Sequence, residues 1–183
     1  MSQGIVLKNF LSIKKMYRGY VVYELIDHDG NEFAPFSIFQ RDFIDAPTSH
    51  SASTIKTART AVAKFLDYMA EVKSFNGEYN STLLRFVINQ YPDFLADKIN
   101  SENELLKSAH DALKNFKPEL NTVGSHKSHI TYVNAYLELS EKIAREAAEI
   151  LAIKAGLSAN DSYEALFPAV WELKPLSQKE KNK

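Results

Sequence analysis

Residues 53–69 read Ser-Thr-Ile-Lys-Thr-Ala-Arg-Thr-Ala-Val-Ala-Lys-Phe-Leu-Asp-Tyr-Met. Ile55, Ala58, Val62, Phe65, Leu66, Met69 and, just beyond, Val72 recur in steps of three and four, the spacing of one helix face. Lys56, Arg59 and Lys64 fall off that stripe. Ser51 or Ser53 is placed to cap the helix and Gly77 to stop it. A stripe of this width must be buried against other elements, so the chain is expected to be a helical domain.

The same period continues downstream. Residues 82–90 predict a second helix through Leu83, Leu84, Phe86, Val87 and Ile88, and Pro92 starts a short one with Phe94, Leu95 and Ile99. Ser101 followed by Glu104 is a capping-box pattern, opening a helix with Leu105, Leu106, Ala109, Leu113 and Phe116 and closing before Pro118. Residues 122–125 read as a loop. Ser125 is then expected to cap the longest helix, which runs to about Ala155 with Ile130, Val133, Leu137, Ser140, Ala144, Ala147 and Leu151 inward; Gly156 stops it. Phe167 and Trp171 mark a last short apolar element, and residues 174–183 are a polar, basic linker.

Upstream, the pattern changes. Residues 17–26 are aromatic and β-branched, as strands are, and Asp27-His28-Asp29-Gly30 supplies the positive φ of a tight reversal. Residues 32–39 read as a second strand, held to a sheet edge by Pro35. Residues 5–13 are a candidate third strand. The expected fold is therefore mainly α: four to six helices preceded by a small N-terminal β-hairpin or three-stranded sheet that leans on them. The division is 1–46 for the β segment, 47–173 for the helical domain and 174–183 for the linker.

Composition excludes several classes. The 183 residues are 45% hydrophobic and 25% charged, with no cysteine, which removes disulfides, thiolate nucleophiles and cysteine-ligated zinc. Lys and Arg total 22 against 23 Asp and Glu, so nucleic acid could be held only by a local patch. No apolar run approaches a membrane span, and Met1-Ser2-Gln3-Gly4 lacks a signal-peptide layout, so a cytoplasmic location is expected. Charge is nevertheless segregated. Lys8, Lys14, Lys15 and Arg18 precede any acid; residues 24–45 are acidic, 46–73 basic and 74–123 mildly acidic.

Catalytic patterns are missing. Asp27-x-Asp29-x-Asn31 begins like a calcium loop, but its glycine is fourth rather than sixth and Ile38 stands where the closing carboxylate belongs, so it reads as a plain turn. His126 and His129 share a helix face without a third ligand nearby. There is no nucleophile elbow, no phosphate-cradling glycine loop and no dinucleotide fingerprint. No cofactor and no metal are expected, and the chain is not expected to be an enzyme by itself.

The order of these pieces resembles the N-terminal half of the tyrosine recombinases, the phage-integrase family. The strand and Asp-x-Asp-Gly turn of residues 21–32, the Pro35-Phe36-Ser37-Ile38-Phe39 run, and the capped basic helix leading to Phe65-Leu66-Asp67-Tyr68 carry the likeness. Ser125-His126-Lys127-Ser128-His129-Ile130-Thr131 repeats a polar helix start ahead of an apolar stripe. The likeness is specific over 50–73, moderate over 17–40 and loose over 74–120. It implies a SAM-like core-binding domain that grips double-stranded DNA and meets other recombinase subunits, the lone chain being monomeric. The family's catalytic tyrosine, arginines, lysine and His-x-x-Arg box find no counterpart here, so a longer recombinase is implied, with cutting in a separate domain.

On this reading Ser53, Thr54, Lys56, Thr57, Arg59, Thr60 and Lys64 at one helix start, and Ser125, His126, Lys127, Ser128, His129 and Thr131 at the other, contact DNA. Helix N-termini offer free N–H groups and partial positive charge to phosphate, and Arg59 could address guanine through two hydrogen bonds. Lys8, Lys14, Lys15 and Arg18 form a second candidate patch. Lysines that blunt an edge strand are the preferred account of it, because the acidic turn lies so close. The near-neutral total predicts weak binding with a shallow salt dependence. The alternative is a helical protein-interaction module of a phage or mobile-element accessory protein, which the acidic stretch 74–120 suits.

Overall fold

The computed structural model describes residues 4–47, 50–76, 81–98 and 103–155, with side chains described at 4–47, 50–72, 85–98 and 103–142. The order is β1 (Leu11–Tyr17), β2 (Tyr20–Ile26), α1 (Ala34–Asp45), α2 (Ala52–Asn76), α3 (Ser81–Leu95), α4 (Glu104–Leu113) and α5 (Val123–Ala155). The fold is mainly α, with a two-stranded antiparallel sheet before the helices. Gly77, Ile99, Ser101, Gly156, the 161–173 element and the 174–183 linker lie outside the described residues.

The reversal between strands falls earlier than expected, inside the stretch read as one strand. Leu11 pairs with Ile26 and Tyr17 with Tyr20. Arg18 at φ 49° and Gly19 at φ 82° make the turn, two positive-φ positions that match the right-handed twist of a hairpin. Residues 4–10 are irregular and form no third strand.

The Asp27–Gly30 reversal is present as well. Asp27 Oδ1 accepts the N–H groups of Asp29 and Asn31, Gly30 sits at φ 82°, and Ile26 bridges Glu32 once. Beyond it the chain enters α1, a helix rather than the expected strand. Pro35 sits in the first turn of α1, where its missing N–H costs nothing. Phe36, Phe39 and Phe43 recur at helical spacing, and Phe36 and Phe39 are buried. Gln40, also buried, accepts from Tyr23 N–H and donates to Tyr23 C=O, so α1 is locked onto β2 by a side chain that replaces a neighbouring strand.

Helix α2 is the axis of the molecule and packs against every other helix and against β2. Ile55, Ala58, Val62, Phe65, Leu66, Met69 and Val72 are all buried, as their period requires. Each of the larger ones contributes about 1.5–3 kcal/mol by leaving water. From residue 61 onward the opposite side is buried too, through Ala63, Asp67, Tyr68, Ala70 and Glu71. Phe10, Tyr23, Leu25 and Phe33 join the same core, so the hairpin and the helices share one interior.

Residues 82–90 and the segment opened by Pro92 form one helix, α3, with Pro92 inside it. Burial of Val87, Tyr91, Phe94 and Leu95 outweighs the hydrogen bond that Pro92 cannot donate. Asn103, rather than Ser101, caps α4 by accepting from Leu106 N–H at 3.1 Å. Helix α5 opens at Val123, before the predicted Ser125. Thr122 Oγ1 accepts from Ser125 N–H at 3.0 Å and Ser125 Oγ accepts from Thr122 N–H at 3.1 Å, a reciprocal cap in which serine takes the inner place. No described helix is long and apolar enough to cross a membrane.

Candidate nucleic-acid interface

The start of α2 is capped by Ser51, whose Oγ accepts from Thr54 N–H at 3.1 Å and meets Thr54 Oγ1 at 2.9 Å. Ser53, Lys56 and Thr57 are exposed on the first two turns, and Thr54 and Thr60 are half-buried. Thr57 Oγ1 donates to Ser53 C=O, which leaves Lys56 as the cation projecting there. At the start of α5, Lys127, Ser128 and Thr131 are exposed, Ser125 and His126 half-buried, and Thr131 Oγ1 donates to Lys127 C=O. Among the described residues neither the Lys56 nor the Lys127 ammonium has a hydrogen bond or ion pair within the protein.

Three residues expected on these polar faces are turned into the protein instead. Arg59 is 9% exposed; its Nη1 donates to Val21 C=O and its guanidinium lies 5.0 Å from the centre of the Tyr23 ring. Burial holds that guanidinium below its ordinary range. Lys64 Nζ donates to Val6 C=O and Phe116 C=O, both at 2.6 Å, and ties the N-terminal segment to the chain entering α5. Burial lowers its ammonium too, partly offset by Asp67. His129 is buried and its Nε2 lies 2.7 Å from Tyr91 Oη. Burial, then the charges of His126 and Lys64, brings the His129 imidazole down to about 4, so it is neutral at physiological pH. These placements follow from α2 and α5 being covered on more than one side, which a single apolar stripe does not reveal.

The two helix starts open on separate concavities. Lys56, Arg59 and Thr60 line one of about 200 Å³ with Tyr23 and residues 4–6. His126, Lys127 and Thr131 line another of about 470 Å³ with Pro92, Leu95 and Ile130. No residue is common to both.

The N-terminal basic cluster is dispersed. Lys8 Nζ pairs with Glu71 at 2.7 Å, and the N–H groups of Lys8 and Asn9 donate to Asp67. Burial raises the Asp67 carboxyl, and the Lys8 and Asn9 N–H groups hold it partly down. Arg18 reaches Asp45 at 3.2 Å, which also accepts from Tyr17 Oη at 2.6 Å. Lys15 stands 4.0 Å from Glu24, and Lys14 faces the other side of β1. Four cations close in sequence are thus separated in space, three of them to three different acidic partners.

Asp67, Glu71, Asn9 and Tyr91 form the polar interior that sequence reasoning passed over. Asp67 and Glu71 sit one helical turn apart on a stretch otherwise apolar on both flanks, which is the signal that a buried acidic pair leaves. Among the described residues no group of three or more histidines and carboxylates is placed to hold a metal ion. Searches against protein-family models, curated proteins and solved structures returned no match for this chain.

Proposed function

We propose that this chain is a DNA-binding helical module, the N-terminal part of a site-specific tyrosine recombinase, with strand cutting assigned to a separate domain. One observation carries the reading. Lys56 and Lys127 stand exposed near the starts of the two longest described helices, each close in sequence to exposed hydroxyl residues. A lysine and a helix N-terminus together suit a backbone phosphate. Lys64 and His129 leave the contact surface, and Arg59 keeps only the part of its side chain that lines the concavity beside Lys56. The remaining surface is Ser53, Lys56, Thr57 and Thr60 with Ser125, His126, Lys127, Ser128 and Thr131. So few cations limit affinity to the weak, sequence-independent regime, and each phosphate contact adds about −0.9 to the salt slope.

The test is fluorescence anisotropy of a labelled duplex. Lys56→Glu with Lys127→Glu is expected to weaken binding at least about tenfold at low salt with an unchanged circular dichroism spectrum. Equal affinity of wild type and double variant overturns the reading.

A protein-interaction role is the second reading, favoured by Val6, Leu11 and Met16, each more than half exposed along the outer strand and the segment before it. It predicts that the chain leaves a labelled duplex unbound, and that Leu11→Lys with Met16→Lys abolishes association with a protein partner.

A further inference from the structure

Helix α2 carries buried charges of both signs, and it treats them differently. Asp67 and Glu71 are answered by the N–H groups of Lys8 and Asn9, the Asn9 amide and the Lys8 ammonium. Arg59, two turns earlier, is 9% exposed and has no carboxylate within ion-pair distance among the described residues. Its Nη1 has Val21 C=O, its face has the Tyr23 ring, and its buried Nε–H has no partner among the described residues. A guanidinium taken out of water needs its donors used and its charge balanced. A neutral carbonyl and a ring supply only part of that.

The missing part has a place to sit. Arg59 lines the concavity of about 200 Å³ together with Lys56, one turn before it, and Thr60, the next residue; Tyr23 and residues 4–6 complete the lining, and no acidic side chain is among them. Two cationic residues and a hydroxyl residue thus line one concavity with no acidic residue among the described lining. A guanidinium, an ammonium and a hydroxyl offered by one helix face supply more donors than a flat carboxylate can accept, and suit the several oxygens of a tetrahedral oxyanion.

We infer that this concavity is a phosphate-binding site, with Arg59 and Lys56 as charge partners and Thr60 as hydroxyl donor. The phosphate can be a phosphodiester of the DNA backbone or a free phosphate; the duplex as its source rests on the function proposed above, whereas the site itself does not. Occupation would also offset the desolvation that now lowers the Arg59 guanidinium. Arg59 then serves as a rigid contact, fixed from behind by Val21 and Tyr23, and Lys56 as the mobile one.

The full chain, labelled with nitrogen-15, is titrated with inorganic phosphate and separately with a 20-base-pair duplex while the Arg59 Nε–H resonance, assigned by its loss in Arg59→Lys, is followed. A saturable shift with phosphate is expected, weakened at least threefold in Lys56→Gln, whose fold does not depend on that exposed side chain. If the duplex produces the same shift at lower concentration and phosphate competes with it, the source is the DNA backbone. If phosphate binds and the duplex neither shifts the resonance nor competes, the site stands for a free phosphate and the DNA assignment of this face fails. If the duplex binds by anisotropy but leaves Arg59 unmoved, and phosphate does too, the site is refuted while the DNA reading survives. A phosphate shift of equal strength in wild type and Lys56→Gln also refutes it.

Discussion

His129 offers the sharpest test of how this interior is built. The side chain is 4% exposed, its Nε2 meets Tyr91 Oη at 2.7 Å, and the nearby charges of His126 and Lys64 are both unfavourable to a second proton. Its imidazole therefore titrates at about 4 in the folded protein against 6.5 when unfolded. Because the folded value is the lower one, the unfolded chain binds the extra proton first as pH falls. The stabilising effect is complete above about pH 6.5, shrinks through the interval, and is exhausted below about pH 4. A gap from 6.5 to about 4, at about 1.4 kcal/mol per unit, is worth about 3 kcal/mol. Asp67 acts in the opposite direction, since its raised carboxyl gains a proton more readily folded than unfolded as acid is added. The useful comparison is therefore with His129→Gln, which keeps a partner for Tyr91 Oη and does not titrate. Urea unfolding from pH 7 to pH 4 should show wild type losing about 3 kcal/mol more than the variant over that interval. Parallel loss in the two proteins would mean that His129 is reached by water, and the reasoning would be wrong.

Three further outcomes are expected. Phe65→Ala removes a ring with no exposed surface, packed edge-on to Tyr91, and should cost about 3–5 kcal/mol in chemical denaturation; a loss under about 1 kcal/mol would show that the site collapses around the gap. Asp67→Ala strips the acceptor from Lys8 N–H, Asn9 N–H and the Asn9 amide, so stability should fall by about 3 kcal/mol and hydrogen exchange at residues 8 and 9 should accelerate; unchanged exchange there would show that Glu71 alone holds the segment. Gly19→Ala meets no neighbouring atom but must adopt φ 82°, so thermal unfolding should report a loss of about 1 kcal/mol from backbone strain alone, and no change would indicate that the turn relaxes.

The candidate site divides along the same physical line. Lys56, Thr57, Lys127 and Ser128 are exposed where their helix positions put them, because an outward residue on a capped first turn has few neighbours to capture it. Arg59 and Lys64 are long enough to reach carbonyls of β2, of the N-terminal segment and of the chain before α5, and those acceptors are remote in sequence. A helical-wheel argument assigns direction but knows nothing of what stands opposite. The reversal at Asp27–Gly30 is legible from local turn chemistry, while the helix after it is not. Pro35 suits both an edge strand and a first helical turn, and the steps from Phe36 to Phe39 to Phe43 are the cue that separates them.

Taken alone, the order of residues determined the mainly helical class, the inner face of α2, the extent of α2 and α5 and the exposure of their first cations, since period and capping act over a few neighbouring positions. Tertiary structure decided that α2 would be enclosed on nearly every side, that its acids would hold the N-terminal segment, that the clustered cations would separate to different acidic partners, and that Arg59 would be buried with no counter-ion among the described residues. Those outcomes depend on charges and carbonyls brought together from distant parts of the chain, and desolvation, which sets their energies, exists only once the chain has folded.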